Sequence, residues 1–216
     1  MSFIVAIDGP AGTGKGTVTK IISKNMELIS IDTGAMYRCV AVYSLRNNTN
    51  LNSETEIENI FKNIKIELKS DKSVYLNGEN VSELIRTPEI DRQVKVVATI
   101  QSIRAKMVDL MREVASGKDV IMEGRDIGTA VFPNANVKIY LDAEPEERAR
   151  RRYKENCEKN IECTYEKILE DMIARDQSDL TKGGLKKADD AVLVDSTHLS
   201  IEEVVSEIER IIKSKM

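Results

Sequence analysis

Short apolar runs recur along the chain, with longer amphipathic stretches between them. Five of them are rich in β-branched residues: Phe3–Ile7, Leu28–Ile31, Val120–Met122, Val137–Leu141 and Ala191–Val194. Runs of this length are typical of strands that are covered on both faces. Because helical patterns separate them, the sequence predicts an α/β fold with a five-stranded parallel sheet flanked by helices.

The stretch between the second and third apolar runs combines helical patterns with an alternating pattern of apolar and polar residues. A helical pattern covers Ala35–Leu45, and a second follows at Val94–Ala115. Between them apolar and polar residues alternate before an Asn-Gly pair, at Ile64, Ile66, Leu68, Val74, Leu76, Asn77 and Gly78. Asn-Gly after an alternating run is a strong hairpin signal. We therefore expect a small antiparallel sheet in the insertion between the second and third strands of the parallel sheet.

The last helix of the chain is predicted from its cap and its apolar face. Ser200 and Glu203 have the S-x-x-E spacing of a capping box. Apolar residues then follow at helical spacing, at Ile201, Val204, Val205, Ile208, Ile211 and Ile212. This helix is expected to pack against the sheet and to carry no chemistry.

Composition and charge narrow the range of functions. The chain has 216 residues, a length that fits one α/β domain. Its net charge of −4 argues against a broad nucleic-acid-binding face. No export signal or membrane-spanning run is expected, and the three cysteines are scattered, as in a reduced cytoplasmic protein. Because His198 is the only histidine, the chain has few of the ligands that a Cys/His zinc site needs.

A glycine-rich loop follows the first predicted strand and precedes a helical segment. It consists of Gly9, Pro10, Ala11, Gly12, Thr13, Gly14, Lys15, Gly16 and Thr17. Strand, loop and helix in this order are the context of a phosphate-binding P-loop, in which backbone N–H groups and a helix N-terminus face the phosphates. Lys15 is expected to reach the β- and γ-phosphates. The pattern departs from the usual G-K-[ST], because Gly16 separates the lysine from the hydroxyl of Thr17.

Two further motifs follow the second and third strands. The first is Asp32-Thr-Gly-Ala-Met-Tyr-Arg38, and the second is Glu123-Gly-Arg125-Asp126-Ile-Gly-Thr. Ligands bind at the carboxyl ends of the strands in open parallel sheets, so we expect these residues to line a site. An arginine on a helix is more often a solvated charge, which makes either motif weak by itself.

Together, the motifs I-D-G-P-x-G-x-G-K-G-T, D-[ST]-G-x-x-Y-R, G-R-D-x-G-T-x-V-F-P and R-D-x-x-D resemble those of bacterial cytidylate kinases, over almost the whole chain. The resemblance implies a P-loop kinase that transfers the γ-phosphoryl group of ATP to CMP or dCMP with Mg²⁺, as a monomer that binds neither nucleic acid nor membrane. It implies a core at about 1–33, 116–145 and 183–216, a nucleoside-monophosphate-binding insert at about 34–115, and a lid at about 146–182.

The resemblance also implies the residues that bind CMP. They are Thr33, Tyr37, Arg38, Arg104, Arg125, Asp126, Arg175, Asp179 and Lys182. A carboxylate at Asp126 suits the amino group of cytosine and a guanidinium at Arg104 suits its acceptors, while Arg38 and Arg125 would hold the phosphate. Lys182 stands where the family has an arginine and is expected to hold phosphate more loosely, because lysine offers no bidentate fork. Lys95 stands where the family has a serine, which leaves cytosine-against-uracil selectivity open.

Three arginines on a predicted helix that begins near Pro145 are candidates for the ATP side. Arg148, Arg151 and Arg152 have the spacing of one helix face, either as a lid over the triphosphate or as a solvated stripe paired with glutamates. Catalysis would rest on positive charge, above all at Lys15, Arg125 and Arg175. Metal contacts are expected at Thr17, Asp8 and Glu123, in part through water.

Alternative functions remain at this point. One is a P-loop kinase for another small acceptor such as UMP or AMP. Another is a regulatory nucleotide-binding P-loop protein, which the lack of an N-K-x-D guanine-reading motif disfavours. An RNA-binding role is a distant third, because the chain is acidic and poor in aromatic residues.

Overall fold

The computed structural model describes residues 2–69, 71, 73–182 and 184–216. Gly183, at which the last predicted core segment begins, lies outside the described residues. Within the described part of the chain, no helix is both long and apolar enough to span a membrane.

The main sheet has five parallel strands in the order β2-β6-β1-β7-β8. Their bounds are β1 Ile4–Asp8, β2 Ile29–Asp32, β6 Val120–Gly124, β7 Val137–Asp142 and β8 Val192–Asp195. Ala6 in the central strand lies opposite Met122 on one side and Lys138 on the other. Each strand lies within two residues of a predicted apolar run, so the predicted sheet is confirmed.

Eight helices flank or connect the strands of the two sheets in the described residues. They are α1 Lys15–Asn25, α2 Thr33–Arg46, α3 Glu54–Asn63, α4 Pro88–Val97, α5 Gln101–Ala115, α6 Pro145–Glu158, α7 Tyr165–Thr181 and α8 Ile201–Lys213. Two short turns add to them, a 3₁₀ turn at Leu84–Arg86 and a π-helical turn at Ile127–Val131. The capping box at Ser200 and Glu203 is present as predicted.

The core beside the main sheet explains why α1 and α8 form. Val18 and Ile22 of α1 and Val204 of α8 pack with the buried side chains of β1 and β7. Both helices bury one face and expose the other, which is the arrangement that their apolar spacing predicts. This packing fixes the N-terminus of α1 at the carboxyl end of β1, where the P-loop lies.

The inserted antiparallel sheet has three strands, β3 Ile66–Leu68, β4 Val74–Leu76 and β5 Glu79–Asn80. Asn77 and Gly78 both have positive φ, +52° and +84°, and join β4 to β5 in a tight hairpin. Only residues that tolerate left-handed backbone form such a turn readily. The antiparallel sheet that the sequence predicts is thereby confirmed.

One predicted helix is in fact two. The sequence predicts a continuous helix over Val94–Ala115, whereas α4 ends at Val97 and α5 begins at Gln101. Ile100 has extended backbone, and its carbonyl accepts a hydrogen bond from the N–H of Arg104 at 3.0 Å. The apolar spacing continues across the break, so periodicity alone does not reveal it.

The contacts between residues divide the chain into two compact units. Residues 1–30 and 117–216 form one, with most of the main sheet, and residues 31–116 form the other, with the antiparallel sheet.

Candidate functional site

The P-loop lies between β1 and α1, in the first unit. Gly14 has left-handed backbone (φ +88°), and its carbonyl accepts from the N–H groups of Thr17 and Val18 at 3.0 and 3.1 Å. A Cβ on Gly9 would lie 2.0 Å from the carbonyl oxygen of Leu141, so no larger residue fits where the loop leaves the sheet. The loop is therefore held close to the end of β7, with a helix N-terminus open beside it.

Lys15 is buried inside this loop. Its Nζ donates to the carbonyl oxygens of Gly9 at 2.8 Å and Pro10 at 2.6 Å, and to Oγ1 of Thr13 at 3.3 Å. Burial above all, together with the positive charge of Arg125, lowers the pKa of its ammonium to about 7, against the opposing effect of Glu123. The loop thus holds a cation that peptide carbonyls solvate only in part.

Asp8 connects the end of β1 to the turn after β6. Its Oδ1 accepts from the N–H of Ile127 and its Oδ2 from the N–H of Gly128, both at 2.8 Å. Burial raises the pKa of this carboxyl to about 6, although the two N–H groups favour its ionised form. Asp8 therefore fixes the turn that begins just after Arg125 and Asp126.

Arg125, at the end of β6, is held by an acid from α7. Its Nε donates to Oδ2 of Asp179 at 2.8 Å, and Nε of Arg175 lies 3.9 Å from the same oxygen. The predicted residues Arg125, Arg175 and Asp179 thus lie together in the first unit. One carboxylate between two guanidinium groups leaves a net positive charge, which suits a phosphate.

A cleft of about 400 Å³ lies beside the P-loop, in the first unit. Its lining residues come from the P-loop and α1, from α6, and from the segment between β8 and α8; they include Thr13, Thr17, Glu147, Arg151, Ser196 and His198. Nη2 of Arg151 donates to the carbonyl oxygen of Ser196 at 2.5 Å, and its Nε donates to Glu147 at 3.0 Å. Arg151 therefore forms one wall of a cleft that opens next to the phosphate loop.

The other two arginines of α6 differ from Arg151 and from each other. The side chain of Arg148 is 3% exposed, and its Nη2 donates to Asp176 of α7 at 2.6 Å. Arg152 is 51% exposed and pairs with Glu155 of its own helix at 3.1 Å. Three arginines that look equivalent in sequence thus have three different environments.

In the second unit, Arg38 lies over the N-terminus of α2. Its Nη1 is 3.3 Å from where a Cβ on Gly34 would be, and its Nη2 donates to Oδ1 of Asp91 at 2.8 Å. The carboxylate of Asp32 caps the helix by accepting from the N–H of Ala35 at 2.9 Å, and Nη2 of Arg86 lies 3.5 Å from Asp32. A helix N-terminus with a nearby arginine favours an anion.

The remaining predicted CMP residues are distributed over both units. Thr33 and Tyr37 lie in α2 of the second unit, where Thr33 is buried. Arg104 lies in α5 of that unit, and its Nη1 donates to the carbonyl of Ala98 at 3.2 Å across the break between α4 and α5. Asp126 precedes the π-helical turn, and the exposed Lys182 ends α7, both in the first unit.

The predicted magnesium contacts are all oxygen donors, which suits that ion. Thr17 is an exposed hydroxyl in the first turn of α1, and Oε1 of Glu123 lies 3.1 Å from where a Cβ on Gly16 would be. Both oxygens of Asp8 already accept backbone N–H groups. The described residues contain no group of three or more His, Cys, Asp or Glu side chains that could hold a metal ion.

Sequence reasoning missed the acids that hold the arginines. Asp91 and Asp176 are single charges on helices, without a motif that sets them apart in the sequence. Ser196 carries a usable signal, because it follows the polar end of β8, where ligand sites of parallel sheets lie.

The comparisons with known proteins agree over nearly the full chain. A family model described as cytidylate kinase matches residues 5–214. A relative named cytidylate kinase, from Fusobacterium nucleatum, is 49% identical over 97% of this chain and 96% of its own. Another of that name, from Thermosipho melanesiensis, is 45% identical over 98% of this chain and 97% of its own.

The solved structures that resemble the chain are distant in sequence. A shikimate kinase from Bacteroides thetaiotaomicron superposes with a TM-score of 0.50 at 12% identity, over 98% of each chain. An uncharacterised protein from Eubacterium ventriosum superposes with a TM-score of 0.55 at 12% identity, over 99% of each chain. At such identities the likeness concerns the fold alone, and the fold is that of the P-loop kinases, as the sequence predicts.

Proposed function

This chain belongs to the cytidylate kinase family, and on that premise we propose that it transfers the γ-phosphoryl group of ATP to CMP or dCMP. The observation that carries the proposal is the P-loop, in which Lys15 lies buried against the carbonyls of Gly9 and Pro10. A buried cation beside a helix N-terminus supports the binding of a polyphosphate.

We assign ATP to the P-loop and to the cleft beside it. The triphosphate lies along residues Gly9–Thr17 and next to Lys15, and Arg151 and Arg152 of α6 lie on the ATP side. The carbonyl and hydroxyl groups of Ser196 support this assignment, because they fix the guanidinium of Arg151 at the cleft wall.

We assign contacts with CMP to residues in each of the two units. In residues 31–116 these are Thr33, Tyr37, Arg38 and Arg104, and in the other unit Arg125, Asp126, Arg175, Asp179 and Lys182. The α2 N-terminus beside Arg38 supports a phosphate contact there. The division of the chain into core, insert and lid is likewise a proposal.

The reaction is a direct in-line transfer. The oxygen of the CMP phosphate attacks the γ-phosphorus of ATP, the bond from phosphorus to the β–γ bridging oxygen breaks, and ADP leaves. The attacking oxygen is already anionic, so no strong general base is needed. The protein supplies orientation and positive charge, above all at Lys15, Arg125 and Arg175, and a closing lid excludes water.

Magnesium fits the oxygen donors at the P-loop. Thr17 and Glu123 would hold it, with Asp8 acting through water. When bound, the ion neutralises charge on the β- and γ-oxygens of ATP.

We also propose a monomeric, cytoplasmic enzyme that binds neither nucleic acid nor membrane. The net charge of −4 and the scattered cysteines support this proposal. Light scattering during size-exclusion chromatography measures the oligomeric state.

Turnover on four acceptors tests the function. With MgATP, we expect kcat/KM to be highest for CMP and dCMP, and lower for UMP and AMP, because Asp126 and Arg104 match the donor and acceptors of cytosine. A coupled assay of ADP release measures this. A preference for UMP or AMP would favour another monophosphate kinase, and slow hydrolysis that no acceptor accelerates would favour a regulatory protein.

ATP binding is expected to take up protons near neutral pH. Because the pKa of Lys15 is lowered to about 7 within the loop, and phosphate oxygens favour its charged form, ATP binding at pH 7 should take up about half a proton at this side chain. Above pH 7 the affinity for ATP should fall as Lys15 loses its proton. Calorimetry in buffers of different ionisation enthalpy measures the uptake, and Lys15→Met corrects for the nucleotide's own titration. Equal uptake by both proteins would contradict the prediction.

A further inference from the structure

We propose that Arg148 is a positioning residue that holds the P-loop backbone against helix α7 and contacts no substrate. The inference rests on the proposed function, in that the P-loop holds ATP. It concerns an arginine that the sequence places among the ATP contacts.

Each of the three guanidinium nitrogens of Arg148 donates a hydrogen bond to the protein. Its Nε donates to the carbonyl oxygen of Ala143 at 2.8 Å, its Nη1 to that of Ala11 at 2.9 Å, and its Nη2 to Oδ2 of Asp176 at 2.6 Å. With 3% of the side chain exposed, little of it is left to meet a solvent-borne ligand. Each nitrogen of the guanidinium thus contacts a different structural element.

The contact with Ala11 bears directly on the P-loop. Ala11 and Gly12 lie in the middle of the loop, and a Cβ on Gly12 would lie 3.3 Å from Cβ of Arg148 and 3.1 Å from Cε of Met172 in α7. Gly12 also has left-handed backbone, with φ +81°. The loop therefore packs against the aliphatic part of the Arg148 side chain, and the carbonyl of Ala11 accepts a hydrogen bond from the guanidinium. These two contacts fix the direction of the neighbouring N–H groups of the loop.

The contact with Asp176 carries this restraint to helix α7. The same helix carries Arg175 and Asp179, and Asp179 accepts from Arg125 at 2.8 Å. The other oxygen of Asp176, Oδ1, is buried and has no hydrogen-bond partner among the described residues. Among the described residues, Arg148 is the only group that forms a direct ion pair with this carboxylate, whose side chain is 18% exposed.

The position of Asp176 makes the two roles of Arg148 distinguishable. If Arg148 were a phosphate ligand restrained by Asp176, then Asp176→Asn would release its guanidinium and tighten ATP binding. If Arg148 positions the loop, then Asp176→Asn and Arg148→Lys both loosen the loop and weaken ATP binding.

The experiment measures the dissociation constants of ATP and ADP by calorimetry, and kcat and KM for ATP at saturating CMP, for four proteins. These are the unaltered enzyme, Arg148→Lys, Asp176→Asn and Arg150→Lys. Arg150 is a matched control, because it is an exposed arginine of the same helix whose partner is Glu147. Thermal unfolding shows that each variant is folded.

We expect Arg148→Lys to lower kcat/KM for ATP by about 10²-fold, the effect of a misplaced reacting group. Asp176→Asn should weaken the binding of ATP and the binding of ADP by equal factors, since the whole loop is displaced. Arg150→Lys should change these dissociation constants and the kcat/KM for ATP by less than about twofold. Tighter ATP binding in Asp176→Asn, or a loss for ATP without a loss for ADP, overturns the proposal. If Arg148→Lys does not fold, the direction of the Asp176→Asn effect decides.

The proposed function fails in a different way. An unaltered enzyme that binds ATP but does not phosphorylate CMP would overturn that function, while the binding comparison would still test Arg148.

Discussion

Replacing Lys15 by methionine is expected to lower kcat by about 10²–10³-fold, the magnitude of losing one preorganised charge from a water-excluded site. Methionine keeps the length of the side chain and removes the ammonium that the loop carbonyls now hold at 2.6 and 2.8 Å. Because the charge on the transferring group is greatest in the transition state, kcat should fall more than the affinity for ATP. Steady-state kinetics with saturating CMP measures both.

The control for this variant is Lys20→Met. Lys20 is an exposed lysine of the same helix, so its loss removes one positive charge without touching the loop. A tenfold or smaller effect of Lys15→Met, or an equal effect of the two substitutions, would show that Lys15 does not carry the transfer.

Replacing Arg125 by alanine is expected to lower kcat/KM for CMP by about 10²–10³-fold. The guanidinium of Arg125 is held by Asp179 at 2.8 Å, so it is already oriented when CMP binds. The same substitution removes a positive charge that depresses the pKa of Lys15. The proton uptake on ATP binding should therefore decrease, which calorimetry detects independently of turnover.

Arg210→Ala is the matched control for Arg125→Ala. Arg210 is an exposed arginine of α8 that pairs with Glu207 of the same helix. If Arg125→Ala kept the kcat/KM of this control, or if it impaired ATP binding and left KM for CMP unchanged, the assignment of Arg125 to CMP would be wrong.

The sheet could be predicted from the sequence because the signal is local. A β-branched run such as Val137–Leu141 has one plausible structure between helical patterns, and the strand extends only to Asp142. The break between α4 and α5 could not be predicted in this way. At Ile100 the chain leaves the helical conformation while the apolar spacing on either side continues, so periodicity alone does not locate the break.

The candidate site could be predicted where a motif determines both residue type and backbone. The P-loop is such a case, since its glycines and its lysine are set by the phosphate that the loop would hold. The pairing of Arg152 with Glu155 is local, since the two residues are three apart on the same helix. The pairing of Arg148 with Asp176 could not be predicted, because it depends on how α6 and α7 pack. For the same reason the one-face reading of the α6 arginines does not distinguish the buried one from the exposed one.

The hold of the loop on Lys15 has a consequence for inhibitor design. Two peptide oxygens of the loop lie within 2.8 Å of the ammonium. A competitor must therefore interact with the ammonium more strongly than an amide dipole does. Compounds with a full negative charge at this point, such as phosphonates, should compete well, whereas uncharged phosphate isosteres should bind weakly however well they fit the neighbouring cleft.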